Sequence, residues 1–390
     1  MSRSDAVESD RRTTVLDLHG LLAIALVDAG RSDTKAIARQ LGPLPHIDAA
    51  DRDPDISIRF VDRVEVQGSL RLLGREAAYG DDEFLVLRGR RKTTVRVKIP
   101  VADIGTTPLE IVAERGLSNV PFLLPIIMLT LLSKGTVPVH ASAFVAAGRG
   151  TLVTGWAKGG KSEALLAFAY RGATYVGDEW VFVTADGAAM AGLPEPMRVW
   201  DWQLAMVPQL RRRIGFGRRV RLGMAASVSQ LLAGVARLPL IRSSAPGDLA
   251  RRVGAMTENQ RSLQIPPERV FDGRVSVGLT ALDSVVLIES SMDPVAAAEP
   301  VDGTILARRT AATVVHELLD LSALYLTYRY AFPDRRNQMI ETLPVVLEEA
   351  MVKALGTRRC VVVRHPYPPD IPALHGLIEG AIATAGDASA

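Results

Sequence analysis

The sequence predicts an α/β fold: a core built round a phosphate-binding loop, with a small β-rich N-terminal module and a partly helical insertion. Three observations carry this. A glycine-rich string, Gly155–Ser162, lies between a strand-like and a helix-like segment. Residues 139–185 alternate strand, turn, helix and strand, the pattern of an α/β core. Between Ile56 and Ile99 the apolar period is two, as in half-buried strands.

Taken in order, residues 1–12 are charged and read as a frayed end. Val15 to Gln40 reads as one helix, because Leu18, Leu21, Leu22, Ala25 and Leu26 form a stripe at helical spacing, stopped by Gly42-Pro43. Ile56, Ile58 and Phe60 alternate with polar residues, and 84–87 and 95–99 read as further strands. Val120 to Leu132 is the most apolar run. It is shorter than the roughly 20 residues a membrane-spanning helix needs and reads as a buried helix.

Residues 193–262, with six Arg between 211 and 221, read as an insertion, helical in part. Ala281–Glu289 reads as a buried strand, Ala311–Tyr330 as one strong helix, and Leu343–Leu355 as another. Arg359–Arg364 reads as a late strand, with a terminal helix from Ile371. The expected division is 1–119 for the N-terminal helix and β-rich module, and 120–390 for the core with its insertion.

Composition narrows the function classes. In 390 residues, 48% are hydrophobic and 23% charged, which excludes wholesale disorder. One cysteine excludes a disulfide framework or a Cys-rich zinc module. His316-Glu317 continues as Leu-Leu-Asp, without the second histidine of a zincin helix. The net charge is only +3, so charge alone does not argue for nucleic acid, which is not expected as a partner. The N-terminus is polar rather than a signal region, and the expected location is cytoplasmic, with no membrane partner.

Gly155-Trp156-Ala157-Lys158-Gly159-Gly160-Lys161-Ser162 fits G-x-x-x-x-G-K-[ST] at every fixed position. Phosphates need many donors in a small concavity. Glycines let the chain curl so that amide N–H groups point inward, and the following helix, beginning near Glu163, adds positive partial charge. Lys161 is placed to reach β- and γ-phosphates, and Ser162 to hold Mg²⁺.

Downstream, Ala173–Val176 reads as a strand neighbouring the one that enters the loop. It ends in Asp178-Glu179, at the carboxyl end where open α/β sheets place ligands. Two adjacent carboxylates beside phosphates call for Mg²⁺ or a shared proton. Upstream, His140 precedes a hairpin turned at Ala147–Gly150. It either touches phosphate or the carboxylates, or packs in its own hydrogen bond.

Other residues carry weaker signals. Glu289 ends an apolar strand, as a metal-linked acid of an ATPase does, but reads better as a sheet-end carboxylate. Arg211–Arg213, Arg218, Arg219 and Arg221 fit a solvated basic face better than an RNA or acidic-peptide site. Trp200 and Trp202 read as core rather than groove, Trp156 as a stacking platform near nucleotide or substrate, and Cys360 as a buried thiol.

His140-Ala-Ser-Ala, Gly155-x4-Gly160-Lys161-Ser162-Glu163, Arg171-Gly172 and Gly177-Asp178-Glu179, in this order and spacing, resemble the catalytic core of the HPr kinase/phosphorylase-related (HPr serine kinase-like) superfamily. The likeness covers residues 137–185 well. It implies a carboxykinase-like P-loop fold, ATP and Mg²⁺ as cofactors, and transfer of the γ-phosphoryl group to a serine-type hydroxyl of a peptide, protein or small molecule. It implies that Lys161 is the loop lysine, that Asp178 is the base, that Glu179 stands at the family's second aspartate, and that His140 is the active-site histidine. Residues 155–163 would then hold ATP, and Ser162, Asp178 and Glu179 the metal.

The chain departs from the family in its Glu179, in lacking a Pro-Gly-Arg-Asn segment, and in its N-terminal module and insertion. HPr as acceptor, phosphorolysis and a homo-oligomer therefore do not follow from the likeness alone. The alternative is a nucleotide-gated binding or regulatory protein without phosphotransfer, in which ATP occupancy arranges the insertion and its basic patch.

Overall fold

The computed structural model describes residues 13–48, 51–65, 68–74, 77–86, 96–215, 217 and 261–387. The first half begins with β1 (Thr13–Leu18), β2 (Leu22–Val27) and α1 (Arg31–Leu41). There follow β3 (His46–Ile47), β4 (Ile56–Val61), β5 (Arg71–Leu72), β6 (Ala77–Tyr79), β7 (Glu83–Val86), β8 (Val97–Pro100) and β9 (Leu109–Glu114). Among the described residues these strands make one nine-stranded sheet, ordered β3-β1-β2-β4-β9-β8-β7-β6-β5.

The helix expected over Val15–Gln40 is a β-hairpin followed by a shorter helix. Thr13 pairs with Val27 and Leu18 with Leu22, antiparallel. Two periodicities competed for the same residues. Leu22, Ile24 and Leu26 face the main core, while Ala23 and Ala25, with Val15, face a smaller cluster on the other side. A strand buries both sets. The chain reverses at His19 and Gly20, both at positive φ, where Asp17 Oδ1 and Oδ2 accept from the Gly20 amide.

The second half opens with α2 (Leu123–Ser133), which is apolar on nearly all sides and buried. Pro125 falls in its first turn, where an amide N–H has no intrahelical acceptor to lose. Then come β10 (Val137–Ala146), β11 (Arg149–Thr154), α3 (Lys161–Ala169), β12 (Thr174–Gly177), β13 (Trp180–Val183), β14 (Ala189–Gly192) and β15 (Met197–Trp200). The start of the insertion supplies α4 (Asp201–Met206) and α5 (Pro208–Arg213), and its end supplies β16 (Ser262–Ile265), which pairs with β15. The segment 193–262 is thus helical in part, as expected, but a two-stranded ribbon closes its base.

The chain continues through α6 (Pro267–Val270), β17 (Thr280–Ala281), β18 (Ser284–Ser291), β19 (Ala297–Pro300), α7 (Gly303–Glu317), α8 (Leu319–Ala331), α9 (Gln338–Leu355), β20 (Arg359–Pro366) and α10 (Ile371–Asp387). The single helix expected over Ala311–Tyr330 is broken at Leu318. That residue is buried, and its amide is shared between the Val314 and Val315 carbonyls. The break lets α8 turn away from α7.

The second sheet runs β17-β14-β13-β10-β11-β18-β20-β19, with β12 paired to β10 off this path. Its centre, β11-β18-β20, is parallel. Successive residues of these strands alternate between two cores, as the two-residue period requires. Leu152, Val285 and Leu287 join the cluster that also holds α2, α7 and α9. Val153, Val286, Ile288 and Val363 join one with α3 and α10. The molecule is therefore a mixed α/β protein with helices on both faces of this sheet. The first of these clusters also contains Leu16, Ile24 and Ile58 of the N-terminal sheet. No helix among the described residues is long and apolar enough to cross a membrane.

Candidate functional site

The Gly155–Ser162 loop joins β11 to α3, as expected. Gly155 (φ 157°) and Gly160 (φ 108°) occupy backbone conformations that disfavour a side chain. A Cβ on Gly155 would also collide with the Ile288 carbonyl, and one on Gly160 with the His365 ring. The loop therefore packs onto the ends of β18 and β20. Lys161 is buried and folds back, its Nζ donating to the carbonyls of Gly155 at 2.9 Å and Trp156 at 3.1 Å. Burial holds its pKa below the ordinary lysine value, against the opposing pull of Glu179 and Asp178.

The strand carrying the acids is not the neighbour of β11, contrary to expectation. β12 pairs with β10, which lies between them. β10 is long enough to pair first with β13 and then with β12, and the two-residue step between those strands is Asp178-Glu179. In that step Glu179 adopts φ 65° and its carbonyl accepts from the Ala141 amide, and the β10–β12 register slips just beside it, between Ala143 opposite Gly177 and Phe144 opposite Tyr175. Irregular steps of this kind re-aim side chains. This one aims two carboxylates at the face of β10 that carries His140 and Ser142, residues two apart on one strand.

Asp178 is buried, at 3% exposure, and its Oδ1 accepts from Ser142 Oγ at 2.6 Å and from Ser162 Oγ at 3.1 Å. Burial, reinforced by the neighbouring Glu179, raises its pKa from 3.8 to about 7. Glu179 is turned the other way. Its Oε2 meets His140 Nε2 at 3.0 Å, and that bond holds its carboxyl below the ordinary range. His140 is 5% exposed and lies against the Trp180 ring, with centroids 5.4 Å apart. Its Nδ1 makes no hydrogen bond, although Glu317 Oε1 lies 3.5 Å away.

A third carboxyl, Glu195, joins the group. Its buried Oε1 has no hydrogen-bond partner, and burial, then Glu179 and Asp178, raise it to about 8. The three acids thus differ in the direction of their shifts: Glu195 and Asp178 are raised, whereas Glu179 is lowered.

The arrangement brings together most of the residues singled out in the sequence, but not all. Glu163 Oε1 accepts from Gln203 Nε2 at 2.7 Å, which ties α3 to α4. Arg171 is exposed beyond the C-terminal end of α3, at the opposite end of that helix from the loop. Trp156 is 54% exposed and lies against the His316 ring, with centroids 4.9 Å apart. Glu289 is engaged by Arg309 and by Arg364 at the end of β18. Trp202 packs against the core holding α3. Cys360 is a buried thiol, pushed by burial to about 12. Arg211 and Arg212 are exposed on α5, whereas Arg218, Arg219 and Arg221 lie outside the described residues.

Four further residues belong to the site. Ser142 sits in the same His-Ala-Ser string as His140, and strand alternation could have found it. Glu195 and His365 have no motif around them, and Glu317 stands in a His-Glu string that carries no zincin motif. His365 Nε2 lies 2.9 Å from the Gly159 carbonyl and its Nδ1 2.8 Å from the Pro366 carbonyl, so it pins the loop from below.

Ser162 Oγ and Asp178 Oδ1 are hard oxygen donors 3.1 Å apart. Neighbouring ligands in a Mg²⁺ octahedron at 2.0–2.1 Å are about 2.9 Å apart, so this pair fits such an ion. No group of three or more His, Cys, Asp or Glu side chains among the described residues is arranged to hold a metal. The chain matches no protein-family model and no curated protein.

Proposed function

We propose that the chain is an ATP-dependent kinase of the HPr serine kinase-like type, transferring the γ-phosphoryl group to a hydroxyl. The observation that carries this reading is the 3.1 Å contact between Ser162 at the head of α3 and Asp178. It sets a carboxyl raised to about 7 beside a loop of phosphate-binding sequence. A chance glycine-rich turn has no reason to abut such an acid. General bases work best when their pKa lies near the working pH.

In this reading the loop amides and the N-terminus of α3 hold the nucleotide's phosphates. Lys161 exchanges its two loop carbonyls for phosphate oxygens, and the ion bridge keeps its ammonium charged despite burial. Ser162 and Asp178 would hold Mg²⁺, which would neutralise charge on the phosphates. Asp178 takes the proton of the acceptor hydroxyl as that oxygen bonds the γ-phosphorus. The bond from phosphorus to the β-bridging oxygen breaks, and ADP leaves. Ser142 keeps the Asp178 carboxyl in place, and His140 keeps Glu179 directed away from it, so that one acid can protonate while the other stays ionised.

Isothermal calorimetry with ATP·Mg²⁺, followed by ADP release and mass spectrometry across hydroxyl acceptors, tests the proposal. Saturable nucleotide binding without a phosphate gained by any acceptor would favour the regulatory alternative. Absence of ATP binding would remove both.

A further inference from the structure

β20 carries an apolar face into the core behind the loop and breaks that face at its end. Val361 and Val363 lie in the cluster that holds α3. His365 is two residues further along the strand, so its side chain leaves from the same face. A third apolar residue would complete the pattern. The histidine is instead buried beneath the loop, with Nε2 2.9 Å from the Gly159 carbonyl oxygen and Nδ1 2.8 Å from that of Pro366. A carbonyl oxygen only accepts, so at Gly159 the ring donates.

That bond fixes more than one oxygen. The Gly159-Gly160 peptide is trans, and in a trans peptide the C=O and N–H point in opposite directions. With the Gly159 carbonyl turned down to His365, the Gly160 N–H points up, away from the strand ends on which the loop rests. Gly159 is held on its other side as well, its own N–H donating to the Trp156 carbonyl at 3.0 Å. The peptide needs this hold. Glycine flanks it on both sides, and no Cβ limits the paired rotation that turns a peptide over. Turned over, it would present an oxygen where the Gly160 N–H now points.

We propose that His365 is a positioning residue for phosphate binding: by holding the Gly159 carbonyl down, it aims the Gly160 N–H into the concavity of the loop as a donor to a phosphate oxygen. The inference rests on the reading of residues 155–162 as a phosphate loop, and on nothing about the acceptor. Gly160 is the residue that caps α3, where amide N–H groups have no intrahelical partner and the helix dipole favours an anion. Lys161 brings charge to the same place on a flexible stem. The Gly160 amide brings a fixed direction, and that direction is set by a side chain from the far end of the chain.

Gly159-Gly160 is the one Gly-Gly pair in the sequence. In protein isotope-labelled only at the glycine carbonyl carbon and nitrogen, a carbonyl–amide correlation spectrum therefore shows a single cross-peak, the Gly160 amide. Adding inorganic pyrophosphate, or ATP·Mg²⁺, to the wild type is expected to move this proton downfield, as donation to an anionic oxygen does. His365→Leu continues the apolar face of β20 and removes the donor. It is expected to lose the downfield shift and to bind pyrophosphate roughly 10–100-fold more weakly in calorimetry. His365→Gln keeps an N–H at a similar reach and is expected to restore both, which a loss of packing alone would not allow. Thermal transitions show whether each variant is folded.

Pyrophosphate binding by the wild type with the Gly160 signal unmoved would overturn the assignment without either variant. So would a His365→Leu protein that binds and shifts as the wild type does, or a His365→Gln protein no better than His365→Leu. In each of these cases phosphate binding itself stands. A wild type that binds neither pyrophosphate nor ATP·Mg²⁺ would remove the phosphate loop and this role together. Binding with the shift, but with no phosphate passed to any acceptor, would leave the role of His365 standing and overturn the kinase reading instead.

Discussion

Replacing Asp178 by asparagine separates what this residue does for catalysis from what it costs the fold. The carboxyl is buried, and its folded-state pKa stands at about 7 against an ordinary 3.8. A folded-state value above the unfolded one means that the native protein binds the extra proton. The associated stability is fully present below the unfolded value and is lost as pH rises through about 7. At 1.36 kcal/mol for each tenfold change, the loss has a ceiling of about 4 kcal/mol.

Asparagine carries no charge, and its Oδ1 can accept from Ser142 and Ser162 as the aspartate does. Asp178→Asn should therefore be more stable than the wild type at about pH 8, by roughly 1–3 kcal/mol once coupling to Glu179 takes its share, and closer to it at about pH 5. The same variant should lose about 10²–10⁴ in phosphoryl transfer, the usual contribution of a positioned base. Denaturant midpoints at the two pH values, paired with an ADP-release assay, read both effects. A variant with no stability advantage at the higher pH would show that the carboxyl is not held protonated by burial. A variant that still transfers phosphate would show that it is not the base.

The pH profile of kcat/KM for ATP·Mg²⁺, which reports the metal-free protein, should have an acid limb near 7 in the wild type, and Ser142→Ala should move that limb upward, because the lost hydroxyl bond favours the ionised form. Glu195→Gln should flatten the stability that the wild type loses as pH rises through about 8, read from denaturant midpoints across that range, since Glu195 too is a raised carboxyl. Lys161→Met should weaken ATP binding by roughly 10–100-fold in calorimetry, the worth of a charge-assisted bond of about 1.5–3 kcal/mol. Gly160→Ala places a Cβ at positive φ against His365 and should cost about 1–3 kcal/mol of stability together with nucleotide affinity. An unchanged denaturant midpoint would show that the loop can relax around it.

The central strand–loop–helix and the acidic pair were legible because their residues are close in sequence and each type answers a local demand. Gly155 and Gly160 are needed for the curl, Ala and Leu suit the helix behind it, and the β-rich stretch from Ile56 shows its period. The segment from Val15 was misread because Leu18, Leu22, Ala25 and Leu26 satisfy a helical stripe and a two-faced strand equally well. Only the presence of apolar partners on both sides, Ile58 on one and Val15 on the other, decides between them. The helix at Ala311–Tyr330 was misread at one residue. Nothing about Leu318 forbids a helix, and the turn there exists because Leu318 and Leu321 bury themselves in the common core.

By itself the sequence determined the α/β class, the loop with its lysine and serine, and the presence of a histidine and two acids nearby, because these follow from short-range steric and hydrogen-bonding requirements. Tertiary structure alone decided that β10 stands between the acids and the loop, that Ser142 and Ser162 converge on one oxygen of Asp178, and that Glu195 and His365 arrive from far along the chain. The reason is that burial and Coulomb interaction depend on distance in space. The proton affinity of Asp178 is thus a property of the packed molecule, which the identity of the residue does not contain.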